Sequence, residues 1–195
     1  MSVNKNKYFT SALHLLNKGV PLAIPTETVY GLAASISNPI AIRQIFAVKE
    51  RPIDHPLIIH VSSIEMAEKY GQFSPRAFDL VRRFWPGPLT VILPKKDSVP
   101  LEVTGGRETV GIRQPNHPLT LRLIQEHGCP IAAPSANRFG RVSPTSAEHV
   151  LEDFNENEEE KIQDITENIV KLVPTLIEKK IDTFSSKVNQ NLNGI

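Results

Sequence analysis

The chain has 195 residues, 40% hydrophobic and 22% charged, with a formal net charge of +1: about one domain's worth of chain, with enough apolar material for a sizeable core. The single cysteine, Cys129, excludes an internal disulfide framework and a cysteine-rich metal site, and its apolar surroundings (G-C-P-I-A-A) suit a small core residue without chemistry. The opening M-S-V-N-K-N-K-Y has no positive segment followed by an apolar run, and no apolar stretch nears the ~18 residues of a membrane span, so a soluble, cytoplasmic protein with no membrane partner is expected.

In chain order, residues 7–18 are a predicted helix closed by Gly19. Residues 21–25 (P-L-A-I-P) are a short buried strand feeding the loop T-E-T-V-Y-G-L. Residues 39–48 repeat Ile40, Ile42, Ile45 and Phe46 at roughly helical spacing, and 57–61 read as a strand. Ser62 with Glu65 has the form of a capping box for a helix to Tyr70, and Ser74 with Pro75 opens a helix reaching Phe84. After the turn W-P-G-P (85–88) come strands at 89–93 and 109–113, the second ending in Arg113. A helix over 119–127 is closed by Gly128, a short strand over 131–133 runs into P-S-A-N, and Ser143 and Pro144 cap and begin a helix to about Phe154. Strands interleaved with helices predict an α/β sheet whose ligand sits beyond the strand ends, where loops collect.

Four loops carry candidate chemistry. In 49–61 (K-E-R-P-I-D-H-P-L-I-I-H-V), Lys49 and Arg51 alternate, and Pro52 pushes Arg51 out of the helical region. An extended backbone there would aim a point charge and a rigid fork the same way, a pairing suited to phosphate or carboxylate oxygens; solvated surface charge is the plain alternative. His55 and His60 in this stretch are open between structural and functional roles. In 25–32, Thr26, Thr28 and Tyr30 alternate, so three hydroxyls could share one side of an extended segment, as they would also on a sheet edge. Thr109 and Arg113 bracket a glycine that permits close backbone approach. Ser135-Ala136-Asn137, followed by Ser143-Pro144-Thr145, places small polar residues next to a helix start, which serves either a phosphate cradle or ordinary capping.

Residues 151–195 hold five lysines and no arginine against ten acidic residues, net −5, which leaves +6 on the first 150. A basic body fits an anionic ligand such as a nucleotide, with RNA a further candidate. P-loop and dinucleotide-binding glycine motifs, H-E-x-x-H and a G-x-S-x-G elbow are all missing from the sequence. Catalysis by positioning and charge neutralisation is therefore expected, with any metal arriving on the ligand's phosphates.

In order and spacing, P-T-E-T-V-Y-G-L (25–32), K-E-R-P-I-D-H-P-L-I-I-H-V (49–61), W-P-G-P-L-T (85–90), T-V-G-I-R (109–113), A-P-S-A-N-R-F-G (133–140) and S-P-T-S-A-E-H-V (143–150) resemble the YrdC/YciO-like family of threonylcarbamoyl-AMP synthases. The resemblance covers about 7–154. It implies a twisted, open mixed sheet flanked by helices around a large positive cavity. It also implies a nucleotidyltransferase that condenses L-threonine, bicarbonate or CO2, and ATP into L-threonylcarbamoyladenylate and diphosphate, for N6-threonylcarbamoylation of adenosine 37 in tRNA. Carried over by position, it assigns Thr28, His60 and Arg113 to L-threonine, with Thr26 and Tyr30 shaping the pocket. Lys49, Arg51, His55, Thr109, Ser135, Asn137 and Ser143 line the ATP side, and Lys49 and Arg51 offset charge on the phosphates. Mg²⁺ would come with ATP, no organic cofactor or resident metal is implied, and the partners are the three substrates, tRNA or double-stranded RNA, and a downstream threonylcarbamoyl-transferring machinery.

Past residue 154 the family's usual D-G-G segment and E-S-T-[VI] strand are missing. An acidic linker (N-E-N-E-E-E-K) leads instead to Ile162, Ile165, Ile169, Leu172, Val173, Leu176, Ile177, Ile181, Phe184 and Val188, spaced as one amphipathic helical face interrupted near Pro174. The predicted organisation is a catalytic domain over 1–154 and an acidic, helical tail over 155–195. This departure leaves open a second reading, a non-catalytic relative that binds nucleotide or RNA, or acts as an interaction protein.

Overall fold

The computed structural model describes residues 2–155, and the predicted helical tail lies outside them. The elements run α1 (Ser2–Asn17), β1 (Leu22–Ile24), β2 (Gly31–Ser35), α2 (Pro39–Lys49), β3 (Ile58–His60), α3 (Ile64–Glu68), α4 (Pro75–Phe84), β4 (Val91–Pro94), α5 (Leu101–Thr104), β5 (Thr109–Arg113), α6 (Pro118–His127), β6 (Ile131–Ala132) and α7 (Ala147–Asn155). The strands form one mixed sheet in the order β1-β2-β6-β3-β5-β4. Only β3 and β5 pair in parallel, Ile58 opposite Gly111 and His60 opposite Arg113.

One face of this sheet is closed along its length. Leu32, Ala34, Ile59, Val91, Leu93, Val110, Ile112 and Ala132 pack there with Ile42, Ile45 and Phe46 of α2 and Val150 and Phe154 of α7. The other face is covered only over β1, β2 and β6, where Phe9 and Leu16 of α1 and Leu123 and Ile124 of α6 meet Ala33, Ile131 and Ala133. Residues directly opposite in a ladder share a face, so Ile58, His60, Gly111, Arg113 and Ile92 continue that second face across β3, β5 and β4. This half is bare at Ile58 and Ile92, 38% and 74% exposed, and closed at its other end, where His60 is 3% exposed. An open half-face beside a packed one is the floor on which the functional loops stand.

The structure corrects several local expectations. The loop predicted over 26–32 ends at Tyr30, and Gly31–Ser35, not expected as a strand, forms one that is buried throughout and pairs on both sides. Helix α3 is capped by Ser63 rather than Ser62, its hydroxyl accepting the Met66 N–H at 3.1 Å, and the helix ends at Glu68 instead of Tyr70. Ser143 and Pro144 do not start the last helix; α7 begins at Ala147, where the Ser146 hydroxyl accepts the His149 N–H at 3.3 Å. Lys49 and Glu50 are not extended. Helix α2 continues to Lys49 and stops at Glu50, which adopts the left-handed conformation (φ 51°) while Glu50 N–H and Arg51 N–H donate to the carbonyls of Ala47 and Phe46. Pro52 governs only the residue before it, so helix geometry reaches one turn closer to the proline than alternation suggests.

Candidate functional site

Two clusters of polar side chains stand at opposite ends of the β3–β5 floor. The first is built on the end of α2. Burial inside a helix end carries the Lys49 side chain under the loop that follows β6, where Nζ donates to the carbonyl of Ser135 at 2.5 Å and to that of Asn137. Lys49 is 1% exposed, and burial, aided by the nearby Arg51 charge and opposed by Asp153, pushes its pKa down to about 8. Two of its three N–H donors therefore hold the loop. Asn137, also buried, clamps the next turn by donating from Nδ2 to the carbonyls of Arg138 and Arg141, while its buried Oδ1 has no partner among the described residues. Asp153 of α7 anchors the same turn through the Arg138 N–H and an ion pair to Arg141 at 3.1 Å.

Arg51 meets the same 135–139 loop at Phe139. Its Nη2 donates to the Pro56 carbonyl at 3.1 Å, burial lowers its pKa, and its guanidinium lies 5.6 Å from the centroid of the Phe139 ring. His55 meets the same ring edge-on at 5.3 Å. Phe139 is 45% exposed, so the cluster pairs a cation and an imidazole with an open aromatic face. Thr109, the first residue of β5, is exposed and pairs with Pro94 across the ladder to β4. Ser143 is exposed and lines a pocket of about 530 Å³ with Arg141, His149 and Asp153.

The second cluster surrounds Arg113, at the other end of β5. Its Nε donates to the Gly87 carbonyl at 3.2 Å, and Nη2 donates to Thr28 Oγ1 at 3.1 Å and to Glu27 Oε1 at 2.8 Å. Thr28 reaches it because the 26–29 segment curls instead of extending. The Thr26 hydroxyl accepts the N–H groups of Thr28 and Val29, donates to the Val29 carbonyl at 2.6 Å, and lies 3.0 Å from the Thr28 hydroxyl. The three-hydroxyl face expected from alternation is therefore split: Thr28 meets Arg113 and Thr26 fixes the turn that presents it, whereas the Tyr30 ring is buried in the core, its phenol pKa raised by burial and by the charge of Glu148. His60, opposite Arg113 in the ladder, is 3% exposed. Burial and the Arg113 charge push its pKa down to about 4, so it is neutral at pH 7, and its Nδ1 has no partner among the described residues.

Between the clusters the floor is Ile58, Gly111 and Thr90. A side chain at Gly111 would meet Ile58 Cγ1 and Thr90 Cγ2 at 3.4 Å, and it would stand where the floor is lowest. The loops are laced to each other: Tyr30 N–H donates to the Pro144 carbonyl, Ala136 N–H to that of Tyr30, and Leu32 N–H to that of Pro134, each at 2.8 Å. The span from Thr109 to Arg113 is about 13 Å at ordinary strand rise, long enough for an elongated ligand gripped at both ends.

Sequence reasoning brought Lys49, Arg51, His55, Ser135 and Asn137 to one cluster and Thr26, Thr28, His60 and Arg113 to the other. It missed Glu27 and Phe139. Glu27 stands on the other side of the alternation that drew attention to the threonines, and Phe139 is a lone aromatic in N-R-F-G whose stacking partners come from a different loop. No group of three or more His, Cys, Asp and Glu side chains suited to a metal gathers among the described residues, and no described helix is long and apolar enough to cross a membrane.

Comparison with known proteins places this geometry. The Sua5/YciO/YrdC family model, described as "Telomere recombination", matches residues 14–179. The threonylcarbamoyl-AMP synthase of Pyrococcus abyssi is 50% identical over 144 residues, which are 73% of this chain and 42% of that protein. The synthase of Vibrio campbellii is 33% identical over 77% of this chain and 83% of its own length. Among solved structures, Pyrococcus abyssi Sua5 complexed with L-threonine superposes with a TM-score of 0.74 at 49% identity, covering 77% of this chain and 44% of that one. Escherichia coli YciO, at 23% identity and a TM-score of 0.69, shares the fold. The chain spans about two fifths of the length of the Pyrococcus synthase. Six ordered motifs, a mixed sheet with one half-face open, and these matches agree: the chain belongs to the Sua5/YciO/YrdC family.

Proposed function

We propose that the chain is an L-threonylcarbamoyladenylate synthase, a nucleotidyltransferase that joins L-threonine, bicarbonate or CO2, and ATP, releasing diphosphate. The observation that carries this reading is the pairing of two cationic clusters, Arg113 with Thr28 at the end of β5, and Lys49 with Arg51 at the end of α2 beneath the 135–139 loop. Arg113 takes the amino-acid carboxylate, with Thr28 beside it and neutral His60 behind. The nucleotide lies toward Lys49 and Arg51, with Ser135, Asn137, His55 and Thr109 at its edge and the Phe139 ring offering a stacking surface for the base. The bound threonine ammonium gives up a proton to solvent, the free amine adds to CO2 and loses its second proton as the carbamate forms, and the carbamate oxygen attacks the α-phosphorus as diphosphate leaves. Lys49 and Arg51 offset the charge that collects on the leaving diphosphate, Arg51 directly and Lys49 through its remaining N–H. Mg²⁺ belongs to the substrate here, arriving on the triphosphate.

Bringing three reactants together is mainly an entropy problem, which the laced loops solve by holding both clusters fixed before substrate arrives. Kinship with synthases from Pyrococcus abyssi and Vibrio campbellii, and with a Sua5 structure complexed with L-threonine, supports the assignment. The product would supply the threonylcarbamoyl group for adenosine 37 of tRNA through a separate transferring machinery. The test is mass spectrometry of reactions containing ATP, Mg²⁺, L-threonine and ¹³C-bicarbonate. The reading predicts an adenylate carrying both threonine and the label; ATP consumption without that species would refute it.

A further inference from the structure

The Arg113 guanidinium is already held by an acid. Glu27 Oε1 lies 2.8 Å from Arg113 Nη2, in a pair whose side chains are only 19% and 12% exposed. Burial raises the Glu27 pKa, but the hydrogen bond from Arg113, together with its own backbone and that of Asn116, lowers it further, leaving the group ionised. The curled 26–29 turn, fixed by the Thr26 hydroxyl, presents Glu27 and Thr28 side by side to the same Nη2. Nη1 has no hydrogen bond among the described residues.

We propose that Glu27 is the specificity residue of the amino-acid subsite: its carboxylate stands in for the substrate carboxylate on Arg113 and, once displaced, receives the α-ammonium. This rests on the synthase reading above and adds to it how the site tells an α-amino acid from other carboxylates. A free amino acid carries two opposite charges about one bond angle apart, and Glu27 with Arg113 carries the complementary two within hydrogen-bond reach of each other. An incoming carboxylate gains Nη1 and takes Nη2 from Glu27. The freed Glu27 keeps its backbone partners, its own N–H and that of Asn116, but loses its cation, and a ligand bearing an ammonium beside its carboxylate supplies a new one. A carboxylate without the amine must break the Glu27–Arg113 pair with nothing offered in return, so it is rejected by an unpaired charge rather than by shape.

The experiment is calorimetric titration of the full chain, wild type and Glu27→Gln, with L-threonine and with (3R)-3-hydroxybutyrate, which lacks only the amine; melting curves check the fold. Wild type should prefer threonine by at least about tenfold, the scale of one hydrogen bond to a charged group. Glu27→Gln should weaken threonine by about that factor and hold 3-hydroxybutyrate as well as wild type or better, so that the preference collapses, and Glu27→Asp should restore part of it. An unchanged preference in Glu27→Gln, or equal weakening of both ligands, overturns the role of Glu27 while leaving the synthase reading standing. Wild-type protein that fails to bind threonine at all overturns the synthase reading, and this inference with it.

Discussion

Replacing Lys49 with methionine, which keeps the length of the side chain and removes its charge, separates the two tasks assigned to this ammonium. On the stability side two effects oppose each other. A pKa pushed from 10.5 to about 8 means that the buried charge costs on the order of 3 kcal/mol at neutral pH, and methionine relieves that cost. The carbonyls of Ser135 and Asn137 then lose their donor, at roughly 1–3 kcal/mol each. The net runs from a gain of ~1 to a loss of ~3 kcal/mol, within what a domain stable by ~5–15 kcal/mol survives. On the catalytic side nothing offsets the missing charge, and diphosphate release should fall on the order of 100-fold. Urea titration alongside a diphosphate-release assay reads both. Near wild-type turnover in a folded Lys49→Met protein would refute the role given to this residue. The linkage has a definite sign: the folded pKa lies below the unfolded one, so wild-type stability should gain on the variant's as pH rises from 8 to 10.5.

The same lowered pKa predicts that kcat/KM for ATP declines above pH 8, reporting the free protein; a flat profile to pH 9.5 would contradict it. Arg113→Ala should weaken threonine binding by at least about tenfold and leave ATP affinity within about twofold, as calorimetry can show; equal loss of both would remove Arg113 from the amino-acid end. Phe139→Ala should weaken ATP several-fold, the scale of one stacking contact at ~1 kcal/mol or more, without altering threonine affinity. His60 is buried neutral, its pKa near 4, and must take up a proton to stay in equilibrium with the unfolded chain at low pH. Stability present above pH 6.5 should therefore be lost as pH falls toward 4, by up to ~3 kcal/mol. His60→Asn should flatten that decline in acid-denaturation curves, and an unchanged slope would show that other groups set it.

Much of the fold is written locally. The Ser74–Pro75 start of α4 and the span of β5 agree with expectation residue for residue, because a cap, a proline and an alternating apolar pattern act within a few residues of themselves. β2 was not legible as a strand: its five residues include glycine, two alanines and serine, and their burial comes from neighbours on both sides. Lys49 shows the limit most clearly. The K-x-R pair was readable from the sequence, yet the direction of Lys49 was not, since that depends on carbonyls 86 and 88 residues away in sequence. Glu27 was invisible for the same reason: its meaning comes from Arg113, on a distant strand.

The most direct test of the whole account is diphosphate release from ATP, Mg²⁺ and bicarbonate, measured with L-threonine, with L-serine and with neither. Release that depends on threonine, and far less on serine, is the predicted result. ATP that binds without threonine-dependent release would contradict the synthase reading and leave the floor between Arg113 and Lys49 as a binding surface alone.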